Sequence, residues 1–428
     1  MPPTGSPEDR PAPPATPNPA TSRTLKPMMH SAVSRRRPKP PAGWLPEGGL
    51  RTLAALRIVT GLAGVTVARS WWRGFEVPPE SLHVPPPGTS WLGFLPVTQP
   101  LFLGAAVILA VGSGLLAVGW RPQWTASIAA AAFFYAGWVT TLTGKVDHSH
   151  HVMWVLVVLA VSPCANAWSV RRENRAGSYR VAVLAVICLI GLIYFGAGLQ
   201  KITTSGLAWG WSDNLINTMM KHAWEKGQVS VPWLVEHALA GKVLGLAALV
   251  FELSFLPLLL YPKTRRWVWP AGLMFHWGTW LILGISFLTL QVMYVVFSGV
   301  GRPPSQADAP VTPVQRRVLV ILVGAVTVFT LTGSDHVWPV SAYPGFATIA
   351  DGFTIDFELV GDDGEPHLTR ELSLGIPTRH VRPFIARNVE AGRGEALLEW
   401  VDAQAIYGLY IDTRSGTVVD RWFVAADG

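Results

Sequence analysis

The chain has 428 residues, half of them hydrophobic, with 14% charged side chains and 20 Trp, whereas a soluble globular domain carries about 25% charge. That balance excludes an ordinary water-soluble domain and points to a membrane protein with lipids as its surroundings. The formal charge of +7 is unevenly placed, since residues 334–428 hold 7 Arg against 15 Asp and Glu, a balance of −8 that leaves +15 for the rest; no basic patch is interleaved with a foldable soluble motif, so no nucleic-acid partner is expected.

Residues 1–46 are Pro-rich, contain Arg35-Arg36-Arg37 and few apolar residues, so they are expected to form a disordered basic cytoplasmic tail. They show no apolar core of the kind that a cleavable signal places in its first ~15–30 residues. From there to 333 the chain reads as a transmembrane domain, 50–333, with helices near 53–68, 100–120, 125–143, 152–169, 181–200, 243–261, 267–283, 285–300 and 317–332. The longer uncharged runs approach the ~20 residues that a helix needs to cross ~30 Å of hydrocarbon. With the tail inside, Arg121, the group Arg171, Arg172, Arg175 and Arg180, then Lys263, Arg265 and Arg266, and finally Arg302, Arg316 and Arg317 all fall in cytoplasmic loops, as the positive-inside rule requires. Residues 267–300 make two short helices turning near 284–286, or one crossing.

Beyond 333 the hydropathy drops. The alternating stretch 354–359, the turn Asp362-Asp363-Gly364 and 371–374 predict one hairpin, and 408–423, turning at 414–416, another; 379–405 reads as helix broken near Gly392-Arg393-Gly394. The expected fold is thus an all-α polytopic membrane helix bundle of about nine transmembrane helices, with a small extracytoplasmic α+β C-terminal domain over 334–428. Cys164 and Cys188 lie in or beside apolar runs and read as small packed residues, with no disulfide framework or CxxC spacing.

On this topology the segment Lys145 to His151, with His148, His150 and His151, and the segment ending in Lys201 both reach the outer face. A Lys at the mouth of an apolar bundle has its charged form penalised by desolvation and can serve as a base. It can equally snorkel to the headgroups. The histidines read as solvated loop residues or active-site groups; no carboxylate or Cys completes a metal-ligand spacing, so no metal is expected. Glu252 and His276 each lie nine residues from the turn joining their helices, at ~13 Å depth by helical rise. They are expected to pair, as a proton relay or as structural glue. Arg57, inside the first helix, snorkels or joins them.

Leu56-Arg57-Ile58, His148-Ser149, the run from Ser162 to Ser169, Tyr194-Phe195-Gly196-Ala197-Gly198-Leu199-Gln200-Lys201 with Trp209 beyond, Phe251-Glu252-Leu253 and Phe275-His276 together resemble the vitamin K-dependent γ-carboxylase and HTTM (horizontally transferred transmembrane) superfamily. The resemblance implies that Lys201 is the base that deprotonates reduced vitamin K or menaquinol and that His148 is an active-site residue. It further implies a carboxylase-like lyase and oxygenase chemistry, in which the oxygenated quinol removes a γ-proton from a Glu of a peptide or protein substrate and carbon dioxide traps the carbanion. Gln200 stands where the carboxylases carry the first of paired lysines, and about 95 residues replace their large extracytoplasmic region. Two functions follow: a quinol-dependent membrane enzyme with an outward-facing site, or a non-catalytic scaffold or accessory factor for peptide maturation or export. Transport lacks the internal repeat or broken helices it would need.

Overall fold

Apolar helices fill most of the computed structural model, which describes residues 49–146, 149–226, 231–300, 308–333, 337–340, 348–361, 364–369, 374–376 and 378–426. The helices are α1 (Leu50–Gly74), α2 (Gln99–Val118), α3 (Pro122–Thr141), α4 (His151–Ala160), α5 (Tyr179–Ser205), α6 (Asn214–Lys226), α7 (Pro232–Glu236), α8 (Ala238–Leu260), α9 (Pro262–Leu283), α10 (Leu288–Val292) and α11 (Pro313–Thr332). Five of them, α1, α2, α5, α8 and α11, are long and apolar enough to cross a membrane. Their ends follow local chemistry. Thr98, Ser178 and Thr312 each accept a backbone N–H of the following turn, and Gly119 and Gly333 close α2 and α11 at positive φ.

Two expected helices take a different form. The stretch 152–169 is helical only to Ala160, because Pro163 lacks an N–H and disfavours helical geometry at Ser162. The carbonyls that follow turn toward Arg57, which is fully buried. Arg57 donates to the carbonyls of Cys164 at 2.9 Å, Ala167 at 3.2 Å and Trp168 at 2.5 Å, and to Ser169 Oγ. It therefore neither snorkels nor joins Glu252 and His276; it fastens α1 to the loop after α4. The stretch 285–300 is a five-residue α10 followed by a 3-10 helix, Met293–Gly299, packed along α1, where the Thr60 hydroxyl approaches Met293 Sδ at 3.4 Å.

The α5 and α11 helices start side by side. Gln315 donates through Nε2 to Ser178 O at 2.7 Å and accepts from Ser178 N at 2.9 Å, and Asp308 Oδ1 accepts from Tyr179 N at 3.0 Å. They then run in the same direction, because Gly196 late in α5 meets Thr330 late in α11, as Ser178 meets Gln315 at their starts.

The C-terminal part is a four-stranded antiparallel sheet in the order β2-β1-β3-β4, built of β1 (Phe353–Val360), β2 (Pro366–Leu368), β3 (Ala405–Asp412) and β4 (Val418–Ala426). Helices α12 (Thr378–Glu390) and α13 (Gly394–Val401) stand between β2 and β3 in sequence, separated at the expected glycines. The expected second arm of the first hairpin, 371–374, lies mostly outside the described residues, and β2 forms earlier, at 366–368. Side-chain bonds join this part to the bundle. Trp338 stacks on Phe133 and donates to Phe134 O at 3.1 Å, Thr143 Oγ1 and His380 Nδ1 are 2.7 Å apart, and Arg414 donates to Asn217 Oδ1 at 2.7 Å.

Candidate functional site

Near its C-terminal end α5 carries Lys201, whose side chain is turned into the bundle and is 4% exposed. Its Nζ donates to both carboxylate oxygens of Glu252 on α8, each at 2.6 Å, and sits 4.3 Å from the centre of the Trp209 ring. Glu252 is equally buried. Close helix approach makes this possible: a methyl group on Gly198, one turn before Lys201, would stand 2.9 Å from Glu252 Cβ. A second glycine on α5, Gly191, receives Leu256 in the same way. The two glycines form a seam that sets the rotation of α8 and aims Glu252 at Lys201.

Seven residues earlier on the same face of α5, about 10 Å along the axis, Tyr194 is buried. Its hydroxyl is 2.5 Å from the Tyr294 hydroxyl and 3.0 Å from Gly272 O. Gly272 has no side chain to spare there, since a Cβ would stand 2.5 Å from the Tyr294 hydroxyl. One turn further along α9, His276 is 4% exposed and, among the described residues, neither ring nitrogen has a hydrogen-bond partner. Its ring is enclosed by Tyr194 at 5.2 Å, Phe287 at 5.0 Å, Phe275 at 6.0 Å and Tyr294 at 6.3 Å. His151, the first residue of α4, lies within electrostatic reach.

The structure thus gathers Lys201, Glu252 and His276 into the α5–α8–α9 region but pairs Glu252 with Lys201 rather than with His276. Depth along the helices does not choose the partner of Glu252; the glycine seam, which sets helix rotation, does. His148 lies outside the described residues. Its neighbours are not solvated: His150 is fully buried, edge-on to Trp154 at 4.8 Å and Trp338 at 6.0 Å, and His151 is 4% exposed. Among the described residues no group of three His, Cys, Asp or Glu is placed to hold a metal ion.

Tyr294 is the member that sequence reasoning passed over. It sits in a segment without helical periodicity, and its only signal was a phenol in an otherwise uncharged apolar run.

No curated protein and no solved structure matches the chain. A family model does: the HTTM domain matches residues 52–299, from α1 through the 3-10 helix that follows α10. That stretch contains Lys201, Glu252, Tyr194, His276 and Tyr294 and more than half of the chain, and the protein belongs to the HTTM domain family.

Proposed function

We propose that this HTTM protein is a membrane enzyme acting on a lipid-soluble quinol, with the Lys201–Glu252 pair as its proton acceptor. The observation that carries this reading is His276, buried among aromatic rings with both nitrogens unpartnered among the described residues, because a buried polar group without a partner costs roughly 1–3 kcal/mol unless a ligand supplies one. A quinone-type ring suits such a place, needing flat aromatic walls and polar groups for its two oxygens. Tyr194, Phe275 and Phe287 would supply the walls, and His276 the hydrogen bond. Reduced vitamin K or menaquinol is the class of cofactor proposed. When bound, it would supply reducing equivalents and an acidic hydroxyl.

The chain's own part is to hold the proton. Lys201 and Glu252 share hydrogens across two 2.6 Å contacts, so a proton delivered to the pair is kept between amine and carboxylate. Trp209 closes over the ammonium and keeps water from it. A peptide or protein Glu as acceptor of lyase-type carboxylation belongs to the same proposal through the resemblance of the Tyr194 to Lys201 stretch. So does the arrangement of nine crossings with the N-terminus cytoplasmic and the C-terminal sheet extracytoplasmic, which the distribution of Arg and Lys supports.

A scaffold or accessory role is the second reading, favoured by the completeness of the Lys201 contacts: two carboxylate oxygens and an aromatic face leave the ammonium satisfied. Lys201→Arg separates the two. A guanidinium can grip Glu252 through two bonds but stays charged. Quinol oxidation in membranes containing the expressed protein should fall as far in Lys201→Arg as in Lys201→Ala. Arg at normal expression retaining wild-type turnover, or its full deletion-complementing phenotype, would leave the scaffold reading standing.

A further inference from the structure

Where α1 ends and α2 begins, the two helices and the C-terminal part enclose an open crevice of 710 Å³. Its floor is built from backbone and apolar side chains. Gln99, the first residue of α2, accepts from Val77 N at 2.7 Å and donates to Phe75 O at 3.4 Å, while Glu76 N donates to Gly375 O at 2.5 Å. Phe75 and Ile376 are buried beneath. Three charged side chains line the opening, Arg73, Glu76 and Asp402, all of them exposed. Among the described residues none of the three forms a side-chain hydrogen bond or ion pair. Trp400 lines the same space, and Trp72, 54% exposed, stands at its edge.

This crevice opens at the ends of two helices that are each long and apolar enough to span a membrane. Headgroup level is where an amphipathic ligand meets it. The lining residue Leu103 continues into an apolar outer face of α2, on which Leu101, Val107, Ile108 and Val111 are 44–56% exposed. One cation beside two carboxylates suits a ligand with a phosphate and an amine, and repels one with a net negative charge. A guanidinium takes a phosphate through parallel N–H bonds, while a primary ammonium has donors for two carboxylates and can rest on an indole face. A quaternary ammonium has no hydrogens to donate.

We propose that this crevice binds an aminophospholipid headgroup of the phosphoethanolamine type, with Arg73 on the phosphate, Glu76 and Asp402 on the ammonium, and the acyl chains along the outer face of α2. The site is separate from the Lys201–Glu252 pair, so the proposal stands whether or not the protein is an enzyme.

The test uses the full-length protein purified from membranes and exchanged into nanodiscs holding equal parts of phosphatidylethanolamine, phosphatidylglycerol and phosphatidylcholine. Native mass spectrometry after detergent release should find phosphatidylethanolamine retained over either of the others by about tenfold, the worth of one charge-assisted contact. Glu76→Gln combined with Asp402→Asn should abolish the preference for phosphatidylethanolamine over phosphatidylcholine and raise retention of phosphatidylglycerol, which Arg73 alone would attract, and Arg73→Gln should lower retention of phosphatidylethanolamine by about tenfold. All three positions are exposed, and size-exclusion profiles check the fold. Soluble glycerophosphoethanolamine at millimolar concentration should leave the lipid in place. Its displacement of the lipid would make a free phosphoamine the ligand and overturn the lipid assignment. Equal retention of the three lipids by the wild-type protein, or displacement of lipid by an extended peptide at micromolar concentration, would also overturn it.

Discussion

A buried ion pair repays the cost of dehydrating its charges only while both partners are present, and Lys201 and Glu252 are 4% exposed with no other described carboxylate or amine bonded to either. Glu252→Ala should therefore lower the stability of the detergent-solubilised protein by about 3–5 kcal/mol. The double replacement Lys201→Met with Glu252→Leu should restore or exceed wild-type stability, since well-packed apolar pairs replace buried charges at little or negative cost. Thermal melts of the single and double variants check this, and a double variant as unstable as Glu252→Ala would show that the charges do more than neutralise one another. The same double variant should be inactive if the pair is the proton acceptor, which uncouples fold from function in one protein. Arg57 presents a different case, because its partners are backbone carbonyls. Arg57→Lys has a single donor centre for contacts that the guanidinium spreads over several oxygens, so carbonyls of the 164–169 loop lose their partners at roughly 1–3 kcal/mol each. The expected result is a lower melting point together with faster proteolysis of that loop, while a Lys variant that melts with the wild type would remove the fastening role. Both residues were visible in the sequence as ionisable groups in apolar segments, but their partners were not. For Arg57 the partners carry no side-chain signal at all.

Between helices, contact is governed by small residues whose importance does not register in hydropathy. The Gly198 and Gly191 seam lets α8 approach α5 to van der Waals range. Gly198→Ala would put a methyl 2.9 Å from both Glu252 Cβ and the Leu253 amide nitrogen, and should cost about 1–3 kcal/mol of overpacking while loosening the Lys201 contacts. Crosslinking between cysteines placed on facing turns of α5 and α8 should slow in this variant, and unchanged crosslinking with unchanged stability would argue against a close-packed seam. The loop leading to α2 offers a pH-dependent counterpart. His83 Nε2–H donates to Pro78 O at 2.8 Å, and Arg393 at the start of α13 donates to His83 O at 2.7 Å. Burial, aided slightly by Arg393 and opposed by the Pro78 carbonyl and Glu80, holds the imidazole below its ordinary 6.5. The folded loop then binds fewer protons than the unfolded one, so its stability is full above 6.5 and declines as the pH falls below it. Hydrogen exchange of residues 78–86 should quicken between neutral pH and about pH 5, and His83→Gln should flatten that response. Helix existence was legible from apolar runs, and the α12–α13 break and the β3–β4 turn from their glycines. Where a Pro or an Arg-held loop interrupted an apolar run, as after Ala160, or where a short 3-10 helix replaced a regular one, as at Met293–Gly299, composition alone misled.

For the molecule as a whole, the order of crossings decides which side of the membrane the Lys201 end of the bundle faces. The α5 and α11 helices begin side by side, tied by Gln315 to Ser178, and point the same way. An even number of passes must therefore separate their starts: α5 and α8, each long and apolar enough to cross, make two, and a crossing α9 together with 288–299 would make four. A crossing α9 would thus require the short 288–299 segment, only twelve residues long, to cross as well. Its 3-10 portion rises about 2.0 Å per residue rather than 1.5 Å, which brings the segment to roughly 21 Å, and its packing along α1 hides its polar backbone from lipid. Adding α11 makes the number of passes between the Arg172 loop and the β3–β4 turn odd, which would place them on opposite sides; a crossing α9 without 288–299 would place them together. The two native cysteines are a buried Cys164 and a half-buried Cys188, so single cysteines introduced at the exposed positions Arg172 and Ser415 can be followed against a low background. In intact cells a membrane-impermeant maleimide should label Ser415→Cys at once and Arg172→Cys only after permeabilisation. Labelling of both from the same side would mean an even number of passes, with one of α9 and 288–299 crossing without the other. The reverse pattern, Arg172→Cys outside and Ser415→Cys inside, would keep an odd number of passes but turn the Lys201 end of the bundle toward the cytoplasm, against the placement of its arginines.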